Sequence, residues 1–197
     1  MGKFYDPNNL KLFRAALEAK NLDGFLVPLA DAFQNEYIPD RCRFVEWLSN
    51  FQGSTGMLLV TQDHAVLFTD GRYTIQARAQ TDPQVFSVEE SDPFALNTWL
   101  QENLKPRSTL GFDPWLHTMR QIETLQHHLK TLKITLAPVA PNPLEGLWQD
   151  RPISAIIPAY PHPEEYAGQS SAEKRQAIAK DLKAEKLEAI FLNAADS

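Results

Sequence analysis

The chain has 197 residues, 43% of them hydrophobic and 22% charged, with a formal net charge of −6 and one cysteine, Cys42. That balance excludes a disordered chain and an internal disulfide, and no apolar stretch is long enough for a transmembrane helix. An acidic total without a basic run speaks against nucleic acid as the main partner. The opening Met1-Gly2-Lys3-Phe4-Tyr5-Asp6 lacks the apolar core of a secretory signal, so a reduced, cytoplasmic protein is expected.

Helical and extended patterns alternate along the first two thirds. Leu10, Phe13, Ala16 and Leu17 recur at helical spacing after the start signal Pro7-Asn8-Asn9, and Gly24 lies beyond the stripe. Phe25-Leu26-Val27 reads as a short buried strand closed by Pro28. Phe44, Trp47, Leu48 and Phe51 form a second helical stripe. The runs 57–61 and 65–69, separated by Gln62-Asp63-His64, predict a hairpin, so part of the sheet is expected to be antiparallel. Helices are expected around 72–80, 93–103 and 118–130, and strands at 84–88, 108–112 and 133–137. The fold class predicted is α/β, a mixed β-sheet flanked by helices.

Seven of the 14 prolines fall between positions 138 and 163, which predicts an extended connector with one helical turn at 144–148. Ser170 and Glu173 match a capping box that opens a helix carrying Ile178 and Leu182, and Ala189-Ile190-Phe191-Leu192 reads as a strand. This ending repeats the beginning. At an offset of 165, Leu182 falls on Leu17, Ala184 on Ala19, Leu187 on Leu22, Ala195 on Ala30 and Asp196 on Asp31. The organisation expected is a domain over 1–137, a Pro-rich connector over 138–167, and at 168–197 the first helix and strand of a second, similar domain. On this reading the chain is the front end of a longer protein.

No catalytic centre is visible. His127 and His128 are adjacent on a helix and diverge by about 100°, and His162 with Glu164 and Glu165 lies where no rigid element would hold a metal. No metal ligand set is expected on this chain. Cys42 is flanked by Arg41 and Arg43, which would depress its pKa, but an incidental thiol is the favoured reading. Gly53-Ser54-Thr55-Gly56 lacks the Lys of a phosphate loop and reads as the entry to the hairpin. In Asp70-Gly71-Arg72-Tyr73, Asp70 is expected to cap the next helix. Arg72, at a strand's carboxyl end, is balanced between binding a carboxylate or carbonyl and a structural ion pair.

Three segments together resemble the N-terminal domain of Xaa-Pro aminopeptidases, in the creatinase/prolidase-like metallopeptidase group. They are Asp31-Ala32-Phe33-Gln34-Asn35-Glu36-Tyr37, Trp47 to Gly56, and above all Thr69-Asp70-Gly71-Arg72-Tyr73. Trp148 to Pro152 resembles that group's connector to its next domain. The chain departs from the pattern where Phe33 replaces a frequent His and Asn50 replaces the Gly of a Ser-Gly-Phe. The resemblance implies a parent metallo-aminopeptidase that removes the N-terminal residue preceding proline, using two divalent metal ions, manganese expected, in a domain outside these residues. It implies that Arg72 contacts bound peptide, that the parent is a homodimer, and that this chain alone is inactive and shapes substrate access and subunit contacts. The alternative is a stand-alone, non-catalytic protein-interaction module.

Overall fold

The computed structural model describes residues 2–92, 94–154 and 156–192, which separate into two compact units divided between Ser154 and Ala155. In the first unit, short apolar runs rich in Leu, Val and Phe become strands because both faces of their sheet are covered, so each run can be apolar throughout. The strands are β1 (Gly24–Pro28), β2 (Met57–Thr61), β3 (Ala65–Thr69), β4 (Ser87–Glu90), β5 (Thr109–Phe112) and β6 (Thr135–Pro138). They form one sheet of order β4-β3-β2-β1-β5-β6. β2 pairs antiparallel with β1 and β3, while β4, β5 and β6 join by parallel pairing. Five strands therefore run one way, and their carboxyl ends share an edge.

Alternation sorts the side chains into two cores. Phe25 and Val27 of β1, Leu58 and Val60 of β2, and Leu67 of β3 enter one core with α1 (Asn9–Ala19), α2 (Phe44–Ser49) and α6 (Pro143–Leu147). Leu26, Leu59, Val66, Phe68 and Leu110 enter the other with α4 (Ala95–Asn103) and α5 (Met119–Leu132). α3 (Thr74–Gln80) joins β3 to β4 and contributes the fully buried Ala77 to the first core. Phe13 of α1 meets Phe25 edge-on at 5.6 Å.

Several expectations shift in detail. The 138–154 stretch is no free connector but part of the first unit. α6 is opened by Asn142, whose side chain accepts the Leu144 N–H, and Leu144 is fully buried. Trp148 packs against Phe4, Phe44 and Trp47 at 5.2–5.9 Å. Three aromatic partners outweigh the local signal of the prolines. Gly53 and Gly56 do enter the hairpin, but what demands glycine there is room. A Cβ on Gly53 would stand 2.2 Å from the Phe51 ring. Asn50 takes a left-handed φ of 69°, which asparagine tolerates better than most residues, and its side chain donates to the Gln80 carbonyl.

In the second unit, α7 (Glu164–Ala167) is followed by α8 (Ser171–Ala184), which carries the expected capping box between Ser170 and Glu173. Residues 189–192, expected as a strand, form no ladder. A strand exists only through pairing, and no other strand lies among this unit's described residues. Ala195 and Asp196 of the repeat lie outside the described residues.

Candidate functional site

The common carboxyl edge is where such sheets gather chemistry, because the loops leaving parallel strands converge there. The segments after β1, β3, β4 and β5 carry Phe33, Tyr37, Ile75, Phe94, Trp115 and Met119, each at least 70% exposed. Ile153 aside, these are the most exposed large apolar side chains described in the first unit.

Arg72 stands just past β3. Its guanidinium grips the Asp70 carboxylate through Nε (3.1 and 3.2 Å) and Nη2 (2.6 Å), and its backbone N–H donates to Asp70 Oδ1. The Arg72 hydrogen bonds hold the Asp70 carboxyl below its ordinary pKa, and Asp70 raises that of Arg72. Asp70 thus closes an Asx-turn onto Arg72 and does not cap α3, whose first turn has no side-chain cap. The Arg72 side chain remains 73% exposed, so its fork is held by one partner and open on its outer side. Next to it the Tyr73 and Ser54 hydroxyls meet at 2.7 Å.

Two further carboxylates lie deeper. Asp31 accepts N–H bonds from Phe33 and Asn35 at Oδ1 and from the Asn35 side chain at Oδ2. Burial pushes its pKa up, but the Asn35 side chain and the backbone N–H groups outweigh that and hold it below the ordinary value. Asp113 accepts from the Trp115 N–H and from Asn142 Nδ2 at 2.8 Å, which ties β5 to the start of α6. Neither was singled out as a site by sequence reasoning. Their one signal was an Asp placed just after a strand.

A cleft of about 430 Å³ opens between Leu26, Phe68, Leu96, Ile122 and His117. Burial lowers the His117 pKa, while its Nδ1 sits 2.9 Å from the Asp113 carbonyl. A second cleft, of about 450 Å³, lies among Asp31, Phe33, Arg41, Cys42, Asp113 and Trp115. Burial pushes the Cys42 thiol up, and Arg151 and Arg41 do not overcome it, in keeping with the incidental thiol favoured from the sequence. His127 and His162 are exposed, and among the described residues no three His, Cys, Asp or Glu side chains converge as a metal site.

Residues 10–142 match the Creatinase/Prolidase N-terminal domain family, and the chain belongs to it. The aminopeptidase P1 of Lotus japonicus is 30% identical over 191 residues, covering 96% of this chain and 29% of that protein. The X-prolyl aminopeptidase of Caenorhabditis elegans, described as a cytosolic enzyme with a di-nuclear active site, superposes with a TM-score of 0.80. The two are 29% identical over 91% of this chain and 31% of that one. The separate N-terminal domain of the cytoplasmic peptidase PepQ from Mycobacterium tuberculosis superposes with a TM-score of 0.56 at 28% identity, over 72% of this chain and 99% of that one. The chain thus spans under a third of the curated relative's length.

Proposed function

We propose that this chain is the non-catalytic N-terminal region of a metal-dependent Xaa-Pro aminopeptidase, and that Arg72 is its contact with bound peptide. The observation that carries the reading is the Arg72 fork, pre-oriented by Asp70 and open to solvent on an edge rimmed with exposed aromatics. A guanidinium held by a carboxylate on one side keeps donors free for a peptide carbonyl or carboxylate on the other. The kinship with Xaa-Pro aminopeptidases supplies the substrate class, a peptide with proline second. The parent holds two divalent metal ions, manganese being the expected metal, acts in the cytoplasm and forms a homodimer. The chain alone is inactive and bounds the cleft. Residues from 168 onward begin a second domain similar to the first, a reading supported by the offset of 165 in the sequence.

Two measurements test this. An immunoblot of source cells gives the native mass, with a band about three times that of this chain expected. A Xaa-Pro peptide assay with manganese then compares this chain with the native protein. The native protein should cleave in a chelator-sensitive way and this chain should not. Arg72→Ala in the native protein should lower kcat/KM by about tenfold or more while leaving stability within about 0.5 kcal/mol. Cleavage by the 197-residue chain alone, or unchanged kcat/KM in the variant, overturns the reading. A native band at this chain's own mass would turn the aromatic rim into a partner-binding surface of a free-standing module.

A further inference from the structure

Among the described residues, His117 is the sole titratable side chain lining the cleft between Leu26, Phe68, Leu96 and Ile122. The residues that share this lining, from β1, β2, β3, α4, α5 and the segments between them, carry no charge. The His117 Nδ1 lies 2.9 Å from the Asp113 carbonyl, an atom that can only accept, so Nδ1 bears the ring proton and Nε2 the lone pair. Nε2 is buried and has no partner among the described residues. The ring stands perpendicular to that of Phe112, the last residue of β5, with centroids 5.6 Å apart. The charge that reaches it is that of Asp113, whose carboxylate is already taken by the Trp115 N–H and by Asn142 Nδ2. Burial lowers the His117 pKa, and neither the Asp113 carbonyl nor its charge restores it.

The neutral ring suits this place and the charged ring does not. A proton on Nε2 would add a positive charge and a donor without an acceptor, each costly to bury. The ring's way out is to water, and leaving breaks the Nδ1 bond and the Phe112 contact together. Those contacts hold the turn over 113–118, which joins β5 to α5. The turn seats Leu116 in the first core, presents Trp115 to solvent and ends at Thr118, which caps α5. Gln34 ties it to the loop after β1 by donating to the Leu116 carbonyl at 3.2 Å. We infer that His117 is an acid-sensitive latch on this turn: its neutral ring keeps the turn closed on β5, and a proton on Nε2 drives the ring into water and opens the turn. The folded pKa lies below the ordinary value of 6.5, so the closed turn is favoured above that pH and loses its advantage as pH falls through the folded value. The latch acts on the part of the rim that carries Trp115 and does not depend on the role assigned to Arg72.

The Trp115 and Leu116 amides both donate to Asp113, so their hydrogen exchange reports the turn. Exchange is followed by NMR in the 197-residue chain and corrected for the intrinsic rate at each pH, with the amides of β2 as reference. Between about pH 7 and pH 5 the opening of the turn should rise about threefold or more, a single proton allowing at most about tenfold per pH unit, while β2 stays protected. His117→Phe keeps a ring beside Phe112 but cannot take a proton, and its turn should open to an extent independent of pH over the same range. Opening of the unmodified turn that does not change with pH, or the same response in the variant, overturns the proposal. Nitrogen NMR of the unmodified histidines gives a second reading that needs no variant to fold. The His117 ring should show a protonated Nδ1 and a bare Nε2 at neutral pH, with a titration midpoint below the ordinary 6.5. A protonated Nε2 at neutral pH, or a midpoint at or above that value, overturns it as well.

Discussion

The helix and loop near the start of the chain and those near residue 180, which match residue by residue at an offset of 165, reach opposite outcomes. α1 turns Leu10, Phe13 and Leu17 into a core, with Phe13 and Leu17 fully buried, and β1 follows with partners on both sides. α8, whose Leu182 matches Leu17, buries none of its residues, and the run at 189–192 that matches β1 pairs with nothing described. Local signals are the stronger in α8, which has a full capping box where α1 has no side-chain cap. Capping and propensity therefore decide where a helix starts, while burial decides what the helix contributes to stability.

The largest expected effect turns this contrast into a number. Phe13→Ala removes a ring packed edge-on against Phe25 and should cost about 3–5 kcal/mol in denaturant unfolding. Ile178→Ala in α8, where the side chain is already partly in solvent, should stay within about 0.5 kcal/mol. Comparable losses at the two sites would break the comparison. The sheet beneath α1 offers the converse test. A Cβ on Gly111 would lie 2.6 Å from the Phe25 ring, so Gly111→Ala should destabilise by about 1–3 kcal/mol through overpacking. An unchanged denaturation midpoint would mean that Phe25 moves aside at little cost.

The same contrast explains what the sequence could convey. The hairpin of β2 and β3, the alternation of helices and strands, and both ends of α8's capping box are written in residues a few positions apart, and they were legible. The carboxyl edge was legible only at Arg72, because Asp70 and Arg72 are near neighbours. Even there Asp70's role differed, since an Asx-turn and a helix cap use the same residue type. The bond from Asn142 to Asp113 spans 29 residues and the one from Arg41 to Ser154 spans 113, with no periodicity to announce either. Trp148 was lost among prolines because its burial depends on Phe4, Phe44 and Trp47, all distant in the chain. At Cys42 the neighbouring arginines are visible in the sequence, while the desolvation that raises its thiol is not.

Acid should separate the two regions more finely. Asp31 has a folded pKa below its unfolded value of about 3.9, so the stability it contributes is present above that pH and is lost as pH falls through the folded value. Asp31→Asn should lower the thermal midpoint of the first unit at neutral pH, and the gap from wild type should close on acidification toward the folded pKa. A gap independent of pH would assign the loss to the altered turn around Phe33 and Asn35 rather than to the charge.

Glu173 gives the smallest effect and the sharpest contrast, because the same sign of shift arises there without any burial. Its carboxylate is lowered by the Ser170 backbone N–H and hydroxyl, both at 2.8 Å, and it is fully exposed. Its contribution is likewise present above its unfolded pKa and lost as pH falls through the folded one, but it acts on α8 alone. Ser170→Ala should weaken the start of α8 by about 1 kcal/mol, visible as lost helical signal and faster amide exchange over 171–175, while the unfolding midpoint of the first unit stays fixed. Acidification of the unmodified chain should fray the same turn. If Ser170→Ala instead shifted the midpoint of the first unit, α8 would be sharing in that unit's core, and the contrast between a helix that is merely capped and one that is buried would fail.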